Sequence, residues 1–187
     1  DVGKTLAYEN KKVHLQPYLH WNRSEHEESL IAFMQPNDPL VARVLNRAGE
    51  LANEENGRMV GYQNWKNSST GKQAEWFYRA LQEENIHYLC PPAGFEFGAS
   101  GQKVRIPGMV LHENVKQGTC LDLAILYASC LEAASFNSMV FLICGHAFTG
   151  VWLDNEKNFS TYPCKDWNLV DQNVKLSEGI LPVECTF

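Results

Sequence analysis

Two residues invite a chemical reading. Cys120 follows Gly118-Thr119 at the head of an apolar stretch, and His146 follows Gly145 between two apolar runs. From Leu121 to Ala134 nearly every position is apolar or small, without Pro or Gly, as in a helix buried on most sides. Thr119 is a suitable N-cap, which puts Cys120 in the first turn. There the unpaired backbone N–H groups and the positive end of the helix dipole favour an anion, so a thiolate is stabilised. The run Met139 to Cys144 and the run that His146 opens, as far as Leu153, are short and rich in β-branched and aromatic residues. They predict two adjacent strands broken at Gly145. A thiol at a helix start facing an imidazole on a strand is what nucleophilic acyl transfer needs.

Each residue alone is ordinary, because a helical cysteine usually acts as a small hydrophobe. The combination singles out Cys120. Cys130 is mid-helix and Cys144 ends a strand, so neither feels the field of a helix terminus. Asp122, an acid in the same first turn, is read as a partner of the dipole and of the backbone N–H groups, not of the thiol.

The rest of the chain must hold these two residues in place. Asn37-Asp38-Pro39 starts a helix whose apolar positions Val41, Val44, Leu45, Ala48 and Leu51 recur at helical spacing until Asn56-Gly57. Lys72 to Glu84 predicts a second amphipathic helix, and Ser24 to Phe33 a short one. Ile86 to Leu89 reads as a short strand ended by Pro91-Pro92, Phe95 to Gly101 as a Gly-rich loop, and Gln102 to Ile106 as extended. Lys165 to Lys175 reads as irregular and polar. The chain closes on a strand-like run, Ile180 to Thr186, carrying one carboxylate. These elements predict an α+β domain: helices first, then a central buried helix on an antiparallel sheet.

With 187 residues, 44% apolar and 20% charged, the chain is long enough for one domain with a sizeable core. A net charge of −6 and a pI near 5.5 argue against nucleic acid as the main partner. No apolar run reaches the roughly 20 residues of a membrane span. The start at Asp1 instead of Met reads as a mature or excised segment, so targeting is not legible there. The six cysteines contain no C-x-x-C pair, which argues against a zinc ribbon, and a chain of this length needs no disulfide staple. Reduced thiols and a cytoplasmic setting are the expectation.

Three motifs together resemble the transglutaminase-like superfamily of cysteine enzymes: Gly118-Thr119-Cys120-Leu121-Asp122-Leu123-Ala124, Gly145-His146-Ala147-Phe148, and Pro182-Val183-Glu184-Cys185-Thr186. The pieces Pro36-Asn37-Asp38-Pro39 and Gln102-Lys103-Val104-Arg105-Ile106-Pro107 are similar to those of a bacterial branch of transglutaminase-like cysteine peptidases. The resemblance covers roughly Leu30 to Thr186, which leaves residues 1–29 as a leader or edge segment and 30–187 as the enzyme domain. It implies a papain-like fold with Cys on a helix start, His on a strand and an acid on the next strand. Glu184 fills the place where many members carry Asp, and Cys185 stands where they carry Pro. The stretch between His146 and Glu184 is longer than is usual there, so Asp171, in Trp167-Asn168-Leu169-Val170-Asp171, is an alternative triad acid and Asp154 a third.

The chemistry so implied is attack by Cys120 on an amide carbonyl, with His146 as proton carrier and Glu184 orienting the ring. The Cys120 N–H is one oxyanion donor, and Gln102 is a candidate for the second, since papain-like enzymes often use a Gln. Arg105 is expected on the surface. Hydrolysis, as a peptidase or deamidase, is favoured over cross-linking. The implied partner is a protein or peptide substrate, together with neighbouring domains of a longer chain, with no cofactor, metal, nucleic acid or membrane. Three alternatives stand beside this reading. One is a catalytically inactive binding module of the same fold. Another is a metal site built from Cys120, His146 and Cys144 or Cys185, and the third is an oxidised extracellular domain.

Overall fold

The computed structural model describes residues 9–11, 15, 18–63, 66–90, 101–155, 159–160, 162–175 and 179–186. Most of the Gly-rich loop expected before Gly101 lies outside these residues. Strand β1 (His20–Trp21) comes first, followed by a 3-10 helix (Glu27–Phe33) and helices α1 (Pro39–Glu54) and α2 (Thr70–Glu83). Asp38 caps α1 by accepting the Leu40 N–H at 2.7 Å, and Ser69 caps α2 by accepting that of Lys72. The two helices bury facing stripes: Val41, Val44, Ala48 and Leu51 on α1, Ala74, Phe77, Ala80 and Leu81 on α2.

The middle of the chain is a set of short pieces. These are β2 (His87–Tyr88), β3 (Gln102–Lys103), α3 (Pro107–Val110) and β4 (Gln117–Gly118). Strand β1 pairs antiparallel with β3, and β2 pairs parallel with β4. Part of the segment expected as a leader or edge is thus built into the domain, with Trp21 buried in one cluster with Val104 and Cys120. Helix α4 (Cys120–Ala133) is central, and every residue from Cys120 to Leu131 is buried. It packs between the α1–α2 pair and a three-stranded antiparallel sheet, ordered β5 (Ser138–Ile143), β6 (His146–Trp152), β7 (Ile180–Val183). Two side chains pin it: Tyr127 donates its hydroxyl to the Ala74 carbonyl, and Thr149 of β6 donates to that of Ala124, each at 2.8 Å.

The β5–β6 hairpin closes with Ile143 opposite His146. Gly145 turns it with φ 76°, a left-handed conformation that suits glycine. The architecture is therefore mixed α+β.

The expectation for the stretch before β7 fails. Residues 165–175 are not irregular: α5 (Trp167–Lys175) lies there, against β7. Asp166 starts it by accepting the N–H groups of Asn168 and Leu169, and Val170 buries into a cluster with Phe141, Trp152, Phe159 and Ile180. Trp167, Val170 and Val174 recur at helical spacing, but over nine residues the period shows for little more than two turns, and tertiary contact supplies the stability that so short a helix lacks. Among the described residues, no helix is long and apolar enough to cross a membrane.

Candidate active site

Cys120 occupies the first position of α4, only 5% exposed. The turn beneath it is fixed by a capping box. Thr119 Oγ1 accepts the Asp122 N–H at 3.4 Å, and Asp122 returns the contact, accepting the Thr119 N–H at 2.9 Å. Asp122 is fully buried, and a buried carboxylate needs a counter-charge. Arg105 supplies it, with Nη1 at 2.8 Å from Oδ2, while its backbone N–H donates to Oδ1 at 2.7 Å. The expectation of a surface arginine is thus corrected: its side chain keeps only 20% exposure and clamps the strand end to the helix start. Gly118 is small for a reason, since a Cβ there would come within 3.1 Å of the Asp122 Cβ.

His146 opens β6, with its ring stacked at 6.2 Å on Phe148. Its Nε2 lies 2.6 Å from Glu184 Oε2, one residue past β7. A carboxylate only accepts, so Nε2 carries the hydrogen and Nδ1 is left as the basic nitrogen of the neutral ring. Glu184 is held in turn by the Thr186 N–H and hydroxyl, at 3.0 and 2.9 Å from Oε1. Partial burial pushes its carboxyl up, but the hydrogen bonds from His146 and Thr186 outweigh this and hold it below the usual carboxylate range.

Ala147, next to His146, packs in one buried cluster with Cys120. The pairing of β2 with β4 sets Tyr88 opposite Gly118, two residues before Cys120. The rival acids lie elsewhere. Asp171 is exposed on α5 and paired with Lys175 at 2.7 Å. Asp154 sits in the turn beyond Trp152, at the opposite end of β6 from His146. Gln102 is half-buried, and alternation along its strand gives it the same face as Val104, which packs with Cys120.

Among the described residues no group of three His, Cys, Asp or Glu is placed to hold a metal ion. The two other thiols considered for a metal are far from alike: Cys144 is exposed in the hairpin turn, and Cys185 is buried with its sulfur 3.4 Å from Thr149 Oγ1. An open groove of about 340 Å³ is lined by Ala74 and Tyr78 of α2, Tyr127 of α4, Leu181 and Val183 of β7, and Glu184; neither Cys120 nor His146 lines it. The sequence reading missed the pairing of β2 with β4, a two-residue contact across 30 positions that no local pattern announces. The chain matches no family model, no curated protein and no solved structure.

Proposed function

We propose that this is a cysteine-dependent acyl-transfer enzyme of transglutaminase-like, papain-like type, acting on amide bonds through Cys120, His146 and Glu184. The His146–Glu184 hydrogen bond carries the reading. It fixes the tautomer in which Nδ1 can take the thiol proton, and it stabilises the imidazolium that results. The capped, buried first turn of α4 supplies the field for the thiolate.

Cys120 sulfur attacks the carbonyl carbon, and the carbonyl electrons move to oxygen, where the Cys120 N–H and Gln102 are the donors. Collapse expels the amine, which takes the proton from His146, and water then releases the acyl group. The groove beside Glu184, with the apolar walls of Leu181, Val183 and Tyr78, suits an extended protein or peptide chain, and hydrolysis is favoured over cross-linking. A nucleophilic thiolate must stay reduced, which fits a cytoplasmic setting. Flanking domains of a longer chain are the expected neighbours.

The test is alkylation with iodoacetamide at pH 6, read by peptide mass mapping. Cys120 should be modified about a hundredfold faster than a thiol of ordinary pKa, and His146→Ala should abolish the advantage. Equal labelling of Cys120 with and without His146 would reduce the site to a scaffold without chemistry.

A further inference from the structure

The hydrogen bond to Glu184 holds His146 by one edge of its ring. The last torsion of a histidine is broad and roughly two-fold, so a single bond at Nε2 leaves the plane of the ring free to tilt. Nor is the partner a rigid post, since the Glu184 side chain is 53% exposed. A second restraint lies against the face of the ring. Alternation along β6 puts Phe148 on the same side of the strand as His146. The two rings stack with centroids 6.2 Å apart and planes 27° from parallel, within the range of offset aromatic pairs. Phe148 is itself backed by another ring. Phe141 lies directly opposite on β5, with centroids 4.8 Å apart, and is buried in one cluster with Trp152, Val170 and Ile180. Gly150 keeps open the space for that ring, because a Cβ there would come within 2.5 Å of Phe141 Cε2. Trp167 of α5 extends the row, 6.5 Å from Phe141.

We propose that Phe148 is a positioning residue for His146: its ring face, backed by Phe141 and α5, holds the imidazole in the plane from which Nδ1 can take the Cys120 proton. This rests on the acyl-transfer reading and goes beyond it, because it assigns a role in the reaction to an apolar side chain outside the triad. Glu184 fixes which nitrogen carries the hydrogen, and Phe148 fixes where the other nitrogen points.

The charged and titratable groups on the elements around the ring leave this geometry in place. Glu184, past β7, is bonded to the ring itself. Cys144 is exposed in the hairpin turn, two residues before His146. Arg23 reaches the end of β5, where Nη2 donates to the Leu142 carbonyl at 3.5 Å. On α5, Asp171 and Lys175 pair with each other. At the head of α4, Asp122 is neutralised by Arg105.

The experiment is the pH profile of iodoacetamide alkylation at Cys120, read by peptide mass mapping, for the wild type, Phe148→Leu, His146→Ala and the double variant. Circular dichroism checks that each is folded, and Phe148→Met takes the place of the leucine variant if that one is not. A misplaced imidazole should cut the thiolate fraction at pH 6 about tenfold. The thiolate that remains should be about threefold more nucleophilic, because a more basic thiolate attacks faster. The two effects predict profiles that cross, with Phe148→Leu about threefold slower than wild type at pH 6 and about threefold faster at pH 10. In the His146→Ala background the same substitution should change nothing, since a residue that acts through the imidazole has no route left. A purely structural role moves both ends of the profile the same way, with or without His146. Superimposable or parallel profiles, or an equal change in the two backgrounds, overturn the role of Phe148 and leave the triad standing when the wild type reacts at pH 6. A wild type unreactive at pH 6 overturns both.

Discussion

Cys120 and Cys130 lie on the same helix, ten residues apart, and both are almost inaccessible to solvent, at 5% and 0% exposure. Their surroundings differ in kind. Cys130 faces the α1–α2 side among Leu126, Leu131 and Phe136, where burial pushes the thiol far above its ordinary pKa. Cys120 stands at the end of the helix, over N–H groups that the helix cannot satisfy, and in one cluster with the residue that follows His146. Desolvation acts on both, but only the first turn offers groups that favour the anion. Burial alone makes a cysteine inert, and a helix terminus with donors makes it a candidate nucleophile.

The largest way to break this contrast is to remove what holds the first turn. Asp122→Ala deletes the reciprocal cap and strands the Arg105 guanidinium beside an apolar side chain. Losing one partner of a buried pair costs about 3 kcal/mol, a fall in melting temperature of roughly 10 °C for a chain of this size. Thermal melting measures the first effect. Labelling at pH 6, below the melting range, measures the second: Cys120 should lose most of its advantage over Cys130. Full labelling in a destabilised protein would mean that the terminus is not what sets the two cysteines apart.

How far this contrast was legible follows from range. The helix was readable because Leu121 to Ala134 has a single character over fourteen positions, and the hairpin because Gly145 interrupts two apolar runs. The capping role of Asp122 was readable because it is local. Arg105 was not, since nothing near it in the sequence says that the carboxylate seventeen residues on is fully buried. The pairing of β2 with β4 was hidden for the same reason. Glu184 over Asp171 came from its motif, and the structure supplies the physical separation: one carboxylate meets an imidazole, the other a lysine on a solvent-facing helix.

A smaller change sharpens the contrast from the histidine side. Glu184→Gln keeps the shape and an acceptor but removes the charge opposite the imidazolium. Labelling of Cys120 at pH 6 should fall about tenfold, with Cys130 unchanged. The effect on stability is small, because the Glu184 side chain is 53% exposed and screened, and its sign is fixed. Its carboxyl titrates lower in the folded chain than in the unfolded one. The stabilisation is therefore present above the unfolded value, about 4.3, and is lost as pH falls through the folded one. Melting curves of wild type and variant should separate near pH 6 and converge below pH 4. A gap that widens on acidification would contradict the pairing.

The smallest effect belongs to the other cysteine. Cys130→Ala removes one buried sulfur from a cluster that includes Leu126, Leu131 and Phe136. The lost transfer energy and the small cavity together cost about 1–2 kcal/mol, and alanine adds back some helix propensity. No polar group is stranded, since the hydrogen bonds nearest in sequence belong to Tyr127 and Ser129, whose hydroxyls reach the Ala74 and Ile125 carbonyls. The melt should shift by a few degrees while the pH profile of Cys120 stays where it was. If the profile moved, the head of α4 would be coupled to its interior through the helix itself, and the two cysteines could not be treated as separate environments on one scaffold.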